Sequence, residues 1–173
     1  MPPEILIQLN SLRQELEQRI REHQHDGNQA TQGKYPDMFG DAPSNIIATP
    51  ATIATTGNTD WYIIAPISGR LNSVDFSSTS ALAANDTNYI TFTITNLGQA
   101  GAGTTAMLAA TDANTTKATG GSALSANTKR SLILNGTSTN AEVVEGDRLL
   151  IRAAVTAEIA GTVTFPVYML RFI

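Results

Sequence analysis

Cysteine is absent from the 173 residues, so neither a disulfide nor a thiolate metal site can contribute to the fold. Charge is scarce too. Only 15% of residues are Asp, Glu, Lys or Arg, well below the roughly 25% usual in globular chains. With a net charge of -4 and no cluster of Lys and Arg to meet phosphates, nucleic acid is excluded as a partner. No apolar run approaches the ~20 residues that a bilayer-crossing helix needs, so no membrane partner is expected. The opening Met1-Pro2-Pro3-Glu4 lacks a basic stretch followed by an apolar one, which predicts synthesis and folding in a cytoplasm. Aromatic residues make up 6%, with a single Trp, and both histidines fall at positions 23 and 25. A glycosidase needs two facing carboxylates across a sugar cleft. Glu145 and Asp147, or Asp60 and Asp75, are the only pairs that suggest themselves, and acids in turns usually bond to the backbone. Gly98 to Gly103 is glycine-rich but is not followed by Gly-Lys-Thr, so it is no phosphate cradle. An enzyme is not expected.

What is present begins with a helical pattern over residues 3 to about 24. Ile5, Leu9, Leu12 and Leu16 recur at 4-3-4 spacing, the average 3.5-residue period of a coiled-coil seam. Gln8, Arg13, Gln14, Glu17, Gln18, Arg21 and Glu22 cover the other face. An isolated helix of this length is marginal in water, and its apolar stripe calls for partners. Copies of the same chain are the simplest partners, so Ile5, Leu9, Leu12 and Leu16 are candidate interface residues. The competing reading docks the helix on its own chain. Ile20 falls one position beyond the seam site that Arg19 occupies, so the heptad loosens just before the histidines.

Residues 27–44 read as a linker or collar, punctuated by Gly27, Gly33, Pro36, Gly40 and Pro43. From residue 45 to 173 the signals are those of strands. The clearest is Tyr89 to Thr95, where Ile90, Phe92 and Ile94 alternate with Thr91, Thr93 and Thr95, the period of a half-buried antiparallel strand. Gly69 to Ser78 alternates as well. Ala113 to Asn127, rich in Ala, Thr, Gly and Ser, reads as a long surface loop. Thr162 to Ile173 closes the chain with an apolar residue on both faces: Val163, Phe165, Val167 and Met169 on one, Tyr168, Leu170 and Phe172 on the other. A two-layer fold covers only one face of a strand. Tyr168, Leu170 and Phe172 are therefore further candidates for a subunit interface. About eight strands with no helix between them predict a mainly β fold: an N-terminal coiled-coil helix (1–26), the collar (27–44), and an antiparallel β-sandwich of jelly-roll type (45–173).

The order of helix, Glu22-His23-Gln24-His25-Asp26-Gly27, collar and Thr/Ala/Asn-rich β domain resembles structural proteins on the surface of tailed bacteriophages. Val143 to Ile151, with the terminal apolar strand, is similar to the end of a tumour-necrosis-factor-type jelly roll, a fold commonly found as a trimer. The resemblance implies a homotrimeric capsid decoration protein or head fibre, made in the host cytoplasm and carried on the virion surface. The major capsid protein or another virion protein would be its partner. The chain lacks the large attachment domain and the β-helix repeats of long tail fibres. The alternative is a tail-fibre or baseplate receptor-binding protein that recognises host surface carbohydrate. In some phage spikes a His-x-His pair on each of three chains surrounds one axial divalent metal, which makes His23 and His25 candidate ligands. The competing reading has them cap the helix end, where imidazolium favours the C-terminal dipole and Gly27 makes the turn. No other cofactor is expected.

Overall fold

The computed structural model describes residues 44–49 and 52–173. The expected helix, most of the collar, the seam residues Ile5, Leu9, Leu12 and Leu16, and the pair His23 and His25 lie outside the described residues. The described part is mainly β and wholly antiparallel. Its strands are β1 (Ser44–Ala48), β2 (Gly57–Ile64), β3 (Gly69–Ser77), β4 (Tyr89–Asn96), β5 (Thr105–Ala106), β6 (Arg130–Leu132), β7 (Glu142–Val143), β8 (Arg148–Thr156) and β9 (Val167–Phe172). The first sheet has the order β1-β9-β3-β6, with β7 also on β3; the second has the order β2-β8-β4-β5. Apart from β7, the pairings nest: β1 with β9, β2 with β8, β3 with β6, β4 with β5. These strands thus pair in the order of a hairpin folded over on itself.

Alternation explains most of the layering. On β4, Ile90, Phe92 and Ile94 are buried while Thr91, Thr93 and Thr95 are half-exposed, as their spacing predicts. On β8, Leu149, Ile151 and Ala153 point inward. Ala153 lies opposite Phe92 in the ladder, and so small a neighbour leaves room for a cluster of rings. Phe76 stands 4.8 Å from Phe92 and 5.0 Å from Tyr168, centroid to centroid, and Trp61 flanks Tyr168 at 5.8 Å. Tilted and edge-on arrangements at these distances suit aromatic quadrupoles. The Tyr168 hydroxyl is fully buried with no hydrogen-bond partner among the described residues, and desolvation raises its pKa far above the ordinary tyrosine value.

Three sequence expectations need correction. First, Tyr168, Leu170 and Phe172 are completely buried between the two sheets of one chain. Strand β9 is central, with β1 on one side and β3 on the other, so this face fills the internal core and offers no surface to a neighbour. The strand is also shorter than expected. Val163 belongs to an isolated bridge with Ile53, and Phe165 adopts a positive φ of 45° and is exposed, before the final strand starts at Val167. Second, Gly69 to Ser77 does not alternate evenly. An irregularity between Leu71 and Ser73 lets Leu71, Val74 and Phe76 all face the core. One extra residue in a strand shifts the side-chain parity, and nothing in the apolar pattern announces it.

Third, Ala113 to Asn127 is a surface loop only in part: residues 118–120, 122–123 and 125–127 are exposed, but its opening turn is not. A short 3-10 turn over Asp112–Asn114 leads into Asn114, Thr115 and Thr116, all buried, and Leu124 is buried where it bridges Leu82. The backbone folds tightly enough that a side chain at Gly121 would meet the Thr115 carbonyl at 2.6 Å. Only glycine fits there.

Candidate functional site

A groove opens on the edge of β4 where the neighbouring chain changes partners. Strand β5 pairs with β4 for two residues, Ala106 with Thr95 and Thr105 with Asn96. The Met107 N–H still donates to the Ile94 carbonyl at 2.8 Å. The Met107 carbonyl, however, accepts from Asn135, Ala109 N–H donates to the Ile133 carbonyl at 2.9 Å, and Leu108 bridges Leu134. Residues 107–109 thereby cross from the second sheet to the first. The chain returns to β4 only at Thr115, which bridges Thr91, and Thr116. Thr116 N–H donates to the Ile90 carbonyl at 2.9 Å, and Thr116 Oγ1 accepts from Ile90 N–H at 2.8 Å.

Between these two closures the edge of β4 stands partly open. Alternate residues of an antiparallel strand turn both N–H and C=O to the same edge. On this edge Ile90 bonds through both of its peptide groups and Ile94 through its carbonyl, and the bridge of Thr91 with Thr115 turns the Phe92 N–H toward the Asn114 carbonyl. The wedge is a groove of about 360 Å³, near the lower end of small-molecule sites. The hydroxyl-bearing face of β4 (Thr91, Thr93, Thr95) forms one wall, and Leu108, Ala109 and Asn114 belong to the other.

Buried polar contacts hold the far wall. Asn114 Nδ2 donates to the carbonyls of Ala109 (2.9 Å) and Ile133 (2.8 Å), while its Oδ1 accepts from Ile133 N–H at 2.7 Å. Arg130, half-buried on β6, reaches beneath the same segment. Its guanidinium donates to the carbonyls of Ala113 (2.7 Å), Thr115 (2.5 Å) and Ser122 (3.1 Å) and lies 5.5 Å from the Phe92 ring centroid. Desolvation lowers its pKa, yet a guanidinium stays charged at any working pH.

The rim carries charges that are already satisfied. Lys117 Nζ sits 2.7 Å from Asp112 Oδ1 and 4.9 Å from the centre of the Tyr89 ring. The hydrogen bond to Asp112 raises the lysine pKa. Beyond the groove lining, Asp86 accepts from Thr119 N–H at 2.7 Å and from Thr119 Oγ1 at 2.9 Å, and these two bonds lower its pKa. The groove therefore offers hydroxyls, peptide groups and one aromatic edge, with little net charge.

The acidic pairs weighed in the sequence lie elsewhere. Asp60 is on the outer face of β2 in a bidentate pair with Arg152 at 2.7 Å, which lowers its pKa. Asp75 is buried on β3, where Ser131 Oγ donates to it at 2.7 Å. The two acids sit on different sheets with different partners. Asp147 accepts from Asn96 Nδ2 (2.8 Å) and Val144 N–H (2.9 Å), fixing the turn before β8, whereas Glu145 is exposed. Among the described residues, no group of three acidic or histidine side chains could hold a metal ion. The residues that shape the groove (Asn114, Thr116 and Arg130) escaped sequence reasoning. The one available signal was the unusual density of Thr and Asn beside a strong strand. No protein family, curated protein or solved structure matches the chain.

Proposed function

We propose that the chain is a homotrimeric virion surface protein of the capsid-decoration or head-fibre type, with a jelly-roll head anchored through its N-terminal segment. The nested pairing of β1 with β9, β2 with β8, β3 with β6 and β4 with β5 supports the jelly-roll reading, because a hairpin wrapped into two sheets pairs its strands in this order. The seam Ile5, Leu9, Leu12 and Leu16 supports self-association. The observation that carries the proposal is a head with a closed core of its own that still exposes large apolar side chains. Tyr62 and Ile64 stand out from β2, and Ile47 stands out from β1 opposite Met169. Such surface is available for contact with other copies or with a particle. With Tyr168, Leu170 and Phe172 occupied in the core, this outer surface and the helix replace them as the candidate interface.

Native mass spectrometry tests the assembly. A species of three times 18.3 kDa at micromolar concentration is expected, and a monomer there overturns it. Imaging of particles then tests the location, with density expected at three-fold or quasi-three-fold positions of the capsid. The second reading, a receptor-binding tip that recognises host carbohydrate, is favoured by one observation: the neutral, hydroxyl-lined groove beside β4.

A further inference from the structure

We infer that the hollow between the end of β3 and the segment 122–130 binds one tetrahedral oxyanion, a phosphate or sulfate group, against the Arg130 guanidinium. Its volume is about 160 Å³, and Phe76, Ser78, Ser122, Ser125, Lys129 and Arg130 are among the residues that line it. An unbalanced charge sets the chemistry. Arg130 is half-buried, and no acidic side chain among the described residues pairs with it. Its partners are the carbonyls of Ala113, Thr115 and Ser122 and the Phe92 ring, all of them neutral. Three of its five N–H groups are used in this way. The positive charge itself stays uncompensated where water is partly excluded. Charged groups withdrawn from water are ordinarily paired, so an anion seated beside Arg130 is favoured.

Lys129 supplies a second cation. Its Nζ lies 3.5 Å from Asp75 Oδ2, longer than a good charge-assisted bond, and its side chain is 66% exposed. Asp75 does not depend on it, because Ser131 Oγ donates to Oδ1 at 2.7 Å and Arg171 stands 3.7 Å from Oδ2. Lys129 can therefore turn from Asp75 to the hollow without leaving the carboxylate alone. Ser122 and Ser125 are exposed, and their hydroxyls make no hydrogen bond among the described residues, so both can donate to a ligand. A planar carboxylate is met by one guanidinium fork. Phosphate and sulfate carry more acceptor oxygens, aimed in different directions, and suit a guanidinium, an ammonium and hydroxyls acting together. The size agrees, since the hollow falls well below the ~300 Å³ at which sites for drug-sized ligands begin. One such site meets a single group and makes no track for a nucleic-acid backbone.

Amide NMR titration of the full-length protein with inorganic phosphate and with sulfate tests this, at a fixed ionic strength of about 0.15 M so that screening stays constant. Both anions should bind at millimolar concentration or below and shift the amides of residues 122–130. Arg130→Gln should abolish binding. Arg130 also holds the segment from Ala113 to Ser122, so two exposed positions keep the test open if that variant does not fold. Lys129→Ala and Ser125→Glu should each weaken phosphate binding about tenfold, the worth of one charge-assisted contact. Lys117→Ala, at the rim of the β4 groove, should leave it unchanged. No binding of either anion by the wild-type protein overturns the proposal. Binding that survives both Lys129→Ala and Ser125→Glu overturns the placement of the site. Acetate that binds as tightly as phosphate overturns the tetrahedral class. Methyl phosphate separates two sources of the group: binding as tight as that of inorganic phosphate supports a monoester carried on a larger molecule, and rejection supports the free ion.

Discussion

Strand β4 and the stretch from 107 to 124 lie side by side, and they are buried by opposite means. In β4 every second residue is a large apolar side chain, and Phe92 alone meets Phe76, Tyr168 and the Arg130 guanidinium. In the adjoining stretch the most deeply buried residues include Asn114, Thr115 and Thr116, whose side chains bond to main-chain groups. Hydrophobic burial is non-directional and leaves a periodic trace in the sequence. Burial by hydrogen bonding is directional, depends on partners far along the chain, and leaves none. Asn114 finds Ile133 nineteen residues away. A run of Ala, Thr, Gly and Asn therefore looks solvated when read alone, and its opening turn proves to be a structural wall.

The largest expected effect falls on the apolar side. Phe92→Ala should cost about 3–5 kcal/mol, because the ring leaves a cavity among neighbours that cannot close over it. Chemical denaturation at matched protein concentration measures it, since assembly would make the midpoint concentration-dependent. A cost under about 1 kcal/mol, the range of a surface substitution, would break the assignment of β4 as the core strand.

Asn114→Ala sharpens the comparison from the polar side. It removes three bonds and strands the Ile133 N–H, while the carbonyls of Ala109 and Ile133 each keep a backbone donor, Thr111 N–H and Ala109 N–H. The expected cost is about 3 kcal/mol, the upper end for buried partners left unmade. Thr116→Ala should cost less, about 1–2 kcal/mol, since it removes only the bond to the Ile90 N–H. A surface loop would give each substitution less than about 0.5 kcal/mol. Hydrogen exchange gives a second reading: the Ile133 and Ile90 amides should lose protection in the respective variants before the rest of the core does.

Legibility follows the same division. The strand Tyr89–Thr95, the turn at Glu145-Gly146-Asp147 and the mainly β class were legible, because alternation and turn chemistry are local. The fate of the last strand was legible only in half. Its apolar faces were plain, but which face fills the core depends on β9 lying between β1 and β3, and strand order is not encoded within the strand itself. Hence Tyr168, Leu170 and Phe172 read as an interface and proved to be core. The groove was illegible for a stronger reason. It exists because residues 107–109 leave one sheet for the other, an event set by Asn114, Ile133 and Arg130 acting together across the fold.

The smallest expected effect separates burial from polarity as such. Asp60 and Arg152 make a bidentate pair with two bonds of 2.7 Å, geometrically as good as the contacts of Asn114, yet both side chains are about a third exposed. An exposed ion pair is typically worth 0.2 to about 1 kcal/mol, even with good geometry, because water competes for both partners. Asp60→Asn should therefore cost less than about 1 kcal/mol at pH 7, well below Asn114→Ala. The pH dependence fixes the cause. The hydrogen bond from Arg152 lowers the Asp60 pKa in the folded state. The pair's contribution is then fully present above the unfolded carboxyl value of about 4 and is lost as pH falls through the lower folded value. The stability difference between wild type and Asp60→Asn should shrink toward zero over that acidic window and stay constant from about pH 5 to 8. A difference above about 2 kcal/mol at neutral pH would show that geometry, rather than burial, sets the worth of polar contacts in this protein, and the contrast between β4 and its neighbour would lose its physical basis.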